Sequence, residues 1–374
     1  MHVCLDIQAA IAQRAGVGRY TQMLVEFLPA GAGEDDLLKF FYFDFRKRGR
    51  PFPAAAPRTV FHPVEKIPGR LVQQLWKWTD WPPFDRLAGA ADVYHFPNFI
   101  IPPLPRGKAV VTIHDMSFRR FPQFTEARNF SYLTQAIGHT ARRADAIITD
   151  SRFSAGEIAA LLGVEPSRIF PIPLGLAATL QRPPPETVAD FRRRHRLEKP
   201  YLLTVGTIEP RKNLPLLFDL FEPFRDFDGD LVIAGMPGWK CAPLFERMRT
   251  SPQTNRIRYL DYLPDSDLPA LYAGAEVFIF PSFYEGFGFP PLEAMACGTP
   301  VVASRGGSLP EVLGEAAALP LTWDVDEWRG AVRQVLGDST WRTTLIERGR
   351  RRAALYRWEE TARQTWQVYR QVAG

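Results

Sequence analysis

Cysteine is scarce: there are three in 374 residues, Cys4, Cys241 and Cys297, odd in number, far apart and set among apolar neighbours. This excludes a disulfide framework and a cysteine-based metal site, and predicts reduced, buried thiols. The six histidines show no ligand spacing, so no His or Cys cluster supports a catalytic metal. No apolar run approaches the ~20 residues that span a bilayer. The start, MHVCLDI, lacks a basic leader and a small-residue cleavage site; it reads as a first buried strand, and cytoplasmic residence is the default expectation. With 46% hydrophobic and 23% charged residues, the composition also excludes a disordered or fibrous chain.

The chain is about twice the common domain size, so two domains are expected, each of roughly 150–200 residues. The net charge of +5 is unevenly divided: residues 1–175 hold 21 Lys and Arg against 16 Asp and Glu, which leaves 25 against 25 for the rest. Either these are scattered, solvated arginines, or the first half meets something acidic such as an anionic membrane surface.

Both halves alternate short β-branched runs with helical patterns. The first has HVCLDI, LKFFYFDF, DVYHF, AVVTIHD and AIITDS as strands; the second has YLLTVGT, DLVIAG, IRYLDYL, VFIFPS and PVVASR. Strand–helix alternation implies parallel sheets covered on both faces, because a parallel crossover needs a dozen residues or more. The expected layout is one parallel-sheet domain over 1–175, a proline-rich linker over 176–199 and a second parallel-sheet domain over 200–354. A last amphipathic helix over 355–374 is a candidate for packing back on the first domain. Ligands of open parallel sheets bind beyond the carboxyl ends of the strands, which makes the cleft between two such domains the expected place for a reaction.

Two strand-end loops carry the chemistry. In VGTIEPRKNL, Arg211 and Lys212 follow a strand and precede a helix with Asn213 as its expected N-cap, an arrangement suited to a diphosphate. In PSFYEGFGFPPLEAMACG, Glu285 lies on the incoming loop, with Glu293 expected in the first turn of a helix starting at Pro291. Gly286 and Gly288 would turn the backbone tightly and aim its amides at an anion. The two carboxylates would accept from vicinal hydroxyls of a sugar or a ribose. His114 ends the strand AVVTIHD, where it is either a satisfied core residue or part of the site, and Asp115 beside it would fix the strand end. DFDGD at 226–230 reads as a turn, since the last ligand position of a calcium loop falls on Pro237. GVGRYT lacks the third glycine of a dinucleotide fingerprint.

EPRKN at 209–213, EGFGFPPLE at 285–293 and GTPVVASRGGSLPEV at 298–312, with GVGRYT at 16–21, TIHD at 112–115 and DSRFS at 150–154, resemble the retaining glycosyltransferases of family 4 across nearly the whole chain. That resemblance implies the GT-B fold, two Rossmann-like doubly wound parallel-sheet domains facing across a cleft. The wording is most similar to bacterial mannosyltransferases that use GDP-mannose. It implies that Arg211 and Lys212 hold the donor diphosphate as it leaves, Glu285 the hexose hydroxyls and Glu293 the ribose. The main chain around Gly288, Phe289 and Leu292 would approach the sugar and distal phosphate, although Pro290 and Pro291 donate nothing. The loop from Gly16 to Gly18 would pass the diphosphate, and His114 would lie by the donor sugar. No metal and no cofactor beyond the nucleotide sugar is expected. The acceptor would be a saccharide or lipid-linked saccharide in surface polysaccharide or glycolipid synthesis. The alternatives are a UDP-sugar donor, an epimerase or phosphorylase of the same fold, and a non-catalytic sugar-nucleotide-binding partner of a synthesis complex.

GRLVQQLWKWTDW, residues 69–81, sets Trp76, Trp78 and Trp81 among Arg70 and Lys77; it either packs its tryptophans inward or sits at the inner membrane surface. The basic run of FFYFDFRKRGRPF, directly after a strand, is consistent with the same acidic neighbour.

Overall fold

The computed structural model describes residues 1–12, 16–47 and 57–374, without the side chains of 127–129 and 132. These residues form two compact units: Met1–Arg119 with Ala127–Gly175 and Trp358–Gly374, and Arg120–Glu126 with Leu176–Arg357. Arg48 and Arg50, in the basic run after the second strand, lie outside the described residues.

The first unit is built on a sheet of seven strands, β1 (His2–Asp6), β2 (Leu37–Phe43), β3 (Thr59–Val64), β4 (Val93–Phe96), β5 (Lys108–Thr112), β6 (Ala146–Thr149) and β7 (Ile169–Pro171). Their order is β3-β2-β1-β4-β5-β6-β7 and every pairing is parallel. The run Val3-Cys4-Leu5 is wholly buried, as a strand covered on both faces requires. Two strands were not apparent in the sequence pattern, β3 and β7. They are the two edges of the sheet, and each contains a proline, Pro63 and Pro171, which a sheet tolerates only where one side of the strand needs no ladder bond.

The helix Trp358–Ala373 is counted in this first unit. Trp366 donates from Nε1 to the Leu28 carbonyl at 2.8 Å, and Tyr369 shares a 2.7 Å hydrogen bond with His95 Nδ1. Trp358, Trp366 and Tyr369 are buried, each ring removing on the order of 4–6 kcal/mol of apolar surface from water before ordering entropy is subtracted.

The second unit has five parallel strands, β8 (Tyr201–Val205), β9 (Asp230–Ala234), β10 (Ile257–Leu260), β11 (Val277–Phe280) and β12 (Val301–Ala303), ordered β10-β9-β8-β11-β12. From β8 the chain runs outward through β9 and β10, then returns to lay β11 on the other side of β8. The switch point of this sheet is therefore the β8–β11 boundary. Its core is assembled from Leu217, Phe218 and Phe221 on the helix Leu214–Phe221 together with Ile233, Ile279 and Trp328.

The stretch expected to be a linker is part of this unit and carries a helix, Pro185–Arg194, with Phe191 buried. The prolines that suggested an irregular path fall where they start a helix: Pro185 is its first residue, where the missing N–H costs nothing. The acids of DFDGD are dispersed among separate bases, Asp226 with Arg333 at 2.7 Å, Asp228 with Lys199 at 2.7 Å and Asp230 with Arg258 at 3.4 Å.

Candidate active site

At the switch point of the second unit, the loops after β8 and β11 bring Arg211, Lys212 and Glu285 together. Lys212 Nζ lies 2.7 Å from Glu285 Oε1, and Arg211 Nη1 lies 2.9 Å from Glu285 Oε2, so each carboxylate oxygen takes one cation. Arg211 also donates to Glu209 Oε1 and to the Tyr284 carbonyl, both at 2.6 Å. A backbone bond from Phe283 N to Arg211 O, 2.9 Å, ties the loops directly. Burial drives the Glu285 carboxyl upward, but Arg211 and Lys212 outweigh it and hold its pKa near 2. Burial pulls the Lys212 ammonium below its ordinary value, and Glu285 opposes that only in part. Each charge thus supports the other.

Local backbone geometry sets this arrangement. The turn Pro210–Lys212 ends at Asn213, which sits at the N-cap position of the next helix in a left-handed conformation (φ 49°) and makes no side-chain cap bond. Its expected capping role is therefore corrected: asparagine is there because it tolerates that backbone. Behind Glu285, the loop after β12 presses in closely. A Cβ on Gly307 would sit 2.3 Å from the Glu285 carbonyl, and Ser308 donates its N–H (2.9 Å) and its hydroxyl (3.0 Å) to that same carbonyl. Residues 120–126 also pack here: Phe124 stacks on Phe283 at 5.2 Å and Phe121 meets Tyr284 edge-on at 5.8 Å.

The helix after β11 begins earlier than its prolines suggested, at Phe289, with Pro290 and Pro291 in its first turn. Glu293 consequently lies in the second turn, and its expected first-turn position is corrected. It is buried and accepts from the Tyr272 hydroxyl at 2.8 Å. Gly288, the residue before the helix, takes φ 104°, whereas Gly286 does not take a positive φ. Leu292 is fully buried, and Phe289 meets Phe287 edge-on at 5.4 Å.

In the first unit, His114 lies two residues beyond β5. Its Nδ1 is 2.9 Å from Asp150 Oδ2 and its Nε2 is 3.1 Å from the Pro97 carbonyl. A carboxylate and a carbonyl only accept, so this geometry suits an imidazolium donating from both nitrogens. Burial pulls the His114 pKa down, but Asp150 and the Pro97 bond outweigh it and raise the value above the ordinary one. Asp115 Oδ1 accepts from Ser117 N at 2.9 Å, fixing the strand end. Gly16 is the positive-φ residue (φ 57°) before the helix Val17–Phe27. Gly18 belongs to that helix and not to the loop, a correction to its expected place.

Sequence reasoning passed over Glu209, Asp150, Ser308 and Asp6. Three of these stood in quoted motifs, EPRKN, DSRFS and GTPVVASRGGSLPEV, and the fourth ends the first strand. Asp6 accepts from Gln8 N at 2.9 Å; burial raises its pKa to about 6, against that bond. Among the described residues no group of three or more His, Cys, Asp or Glu is arranged to hold a metal ion. No described helix is long and apolar enough to cross a membrane.

The structure is similar to that of sucrose-phosphate synthase from Thermosynechococcus elongatus, with a TM-score of 0.76 at 22% identity over 99% of this chain and 98% of that one. Two Rossmann-like parallel-sheet units of this kind, one with a cation pair at its switch point, define a glycosyltransferase of the GT-B class. Residues 14–180 match Glycosyltransferase Family 4, and residues 187–352 match Glycosyl transferases group 1. The O-antigen chain mannosyltransferase B of Escherichia coli is 33% identical over 95% of this chain and 96% of its own length. The MMP alpha-(1->4)-mannosyltransferase of Mycolicibacterium hassiacum is 34% identical over 61% of this chain and 54% of its own. The chain belongs to glycosyltransferase family 4.

Proposed function

We propose that the chain transfers mannose from GDP-mannose to a saccharide acceptor in surface polysaccharide or glycolipid synthesis, with retention of configuration and without a metal. The observation that carries the reading is the Arg211–Lys212–Glu285 cluster at the β8–β11 switch point. The choice of mannose is supported by two relatives that bear the name mannosyltransferase.

In this account Arg211 and Lys212 meet the donor diphosphate, and their attraction grows as charge collects on the departing phosphate, which is what lowers a barrier instead of merely tightening binding. Glu285 keeps both cations oriented and shares its remaining lone pairs with hexose hydroxyls. Glu293 accepts from the ribose hydroxyls. His114, held as an imidazolium by Asp150, supplies a positive charge near the sugar. The leaving phosphate takes the acceptor proton on the face it departs from, so no enzyme nucleophile is required.

Thermal shift against a panel of nucleoside diphosphates and nucleotide sugars, with and without chelator, tests this. A ligand at 100 times its Kd adds about 2.7 kcal/mol of stability. GDP and GDP-mannose should stabilise the protein with or without chelator. Stabilisation by UDP compounds alone would remove the donor assignment, and dependence on a divalent ion would remove the metal-free mechanism.

A further inference from the structure

The first unit carries an apolar surface that neither its core nor its charged groups use. Of the twelve large hydrophobic side chains exposed among the described residues, six fall in two short stretches: Phe45, Ile67, Leu71, Leu75, Trp78 and Trp81. Those stretches meet in space. Phe45 follows β2 and Ile67 follows β3, which are paired in parallel, and a 3.0 Å bond from Asp44 N to Val64 O closes the two strand ends together.

The helix Gly69–Leu75 begins at this edge. Its inner side is secured by buried Val72 and by Trp76, which donates to the Pro82 carbonyl at 2.7 Å and lies 6.3 Å from the Phe43 ring. Its outer side is the unusual one. Leu71 and Leu75 lie four residues apart on one face of the helix, Ile67 stands in the bend before it and Trp78 in the turn after it, yet Leu71 is 59% and Trp78 86% exposed. Lys66, Arg70 and Lys77 are exposed within the same stretch.

We propose that this face seats the first unit on an anionic lipid surface, with Leu71, Leu75 and Trp78 entering the boundary between headgroups and acyl chains and the basic residues meeting lipid phosphates. Leucine on one side of a short helix and tryptophan in the turn after it, with cations at the margin, is the chemistry of an interfacial anchor. A second copy of the chain is the other candidate occupant, but a two-fold contact through this face would bring its Lys66, Arg70 and Lys77 patch close to the same patch of the other copy, a repulsion that a lipid surface converts into attraction. The inference goes beyond the donor reading and does not depend on it.

Flotation of the full chain with phosphatidylcholine vesicles, with and without about one-third phosphatidylglycerol, is the test. The wild type should float with the anionic vesicles at low salt and much less at about 0.5 M salt. Leu75→Glu/Trp78→Glu, both on exposed positions, should keep the wild-type melting temperature and lose at least about tenfold in vesicle affinity. Lys66→Glu or Arg70→Glu should each lose roughly fivefold or more, with anionic vesicles only. A wild type that stays unbound at low salt, or a double variant that floats as well as wild type, overturns the proposal. So does a concentration-dependent dimer in sedimentation that the double variant abolishes while neither protein floats. Binding to vesicles by a protein that ignores GDP-mannose would leave this inference standing and remove the donor assignment.

Discussion

In the second unit a carboxylate, Glu285, sits between two cations on loops leaving the neighbouring strands β8 and β11; in the first unit a histidine, His114, sits between two acceptors, Asp150 and the Pro97 carbonyl, on loops leaving β6 and β4. Both arrangements lie at the carboxyl ends of parallel strands, and they differ in what pH can do to them. Arginine stays charged throughout the working range, and Glu285 is held near 2, so the second cluster keeps its charges far into acid. The charge on His114 depends on Asp150. A carboxylate locked between two lasting cations thus stands against a titratable cation sustained by Asp150 and the Pro97 carbonyl.

The largest effect should come from removing the shared partner in the second unit. Glu285→Ala leaves two cations without it in a buried site, and the loss of stability, measured by urea denaturation, should be about 3–5 kcal/mol. Because the Glu285 pKa is depressed, its contribution is present in full above its ordinary 4.5 and fades as pH falls toward about 2. A loss below about 1 kcal/mol would mean the cluster contributes only what an exposed pair does. Next in size, Lys212→Ala should lower kcat roughly 10- to 150-fold, the equivalent of about 1.5–3 kcal/mol for a charged hydrogen bond, with a smaller change in KM. An unchanged rate at saturating donor would assign Lys212 to structure alone.

The smallest effect sharpens the first-unit side. A raised His114 pKa contributes stability below its unfolded value near 6.5 that is lost as pH rises through the folded value. Wild type should therefore exceed Asp150→Asn in melting temperature most clearly in mild acid, with the gap narrowing as pH rises. Nitrogen-15 shifts of His114 should report an imidazolium at neutral pH in wild type and a neutral ring in the variant. Neutral-ring shifts in both would reverse the role given to Asp150.

Ten of the twelve described strands were legible because parallel sheets bury nearly continuous apolar runs, which even a single sequence displays. The parts that were not legible have physical reasons. β3 and β7 are edge strands broken by Pro63 and Pro171, so their composition resembles loop. The helix Pro185–Arg194 was hidden by the prolines that open it, and the helix Phe289–Ala296 starts two residues before its second proline for the same reason. Arg211, Lys212 and Glu285 were recognisable because they stand on loops at the carboxyl ends of parallel strands, where such sheets gather the groups that meet a ligand. Asp150 was not, since its pairing with His114 follows only from β5 and β6 being neighbours in the sheet. Ser308 and Gly307, which hold the Glu285 loop from behind, act through backbone contacts that no spacing pattern advertises.

The central claim is that Arg211 and Lys212 grip a diphosphate, and calorimetric titration of GDP into wild type, Arg211→Ala and Lys212→Ala tests it most directly. Each variant should bind GDP at least about tenfold more weakly while keeping a cooperative melting transition. GDP affinity equal to that of wild type in both variants would contradict it.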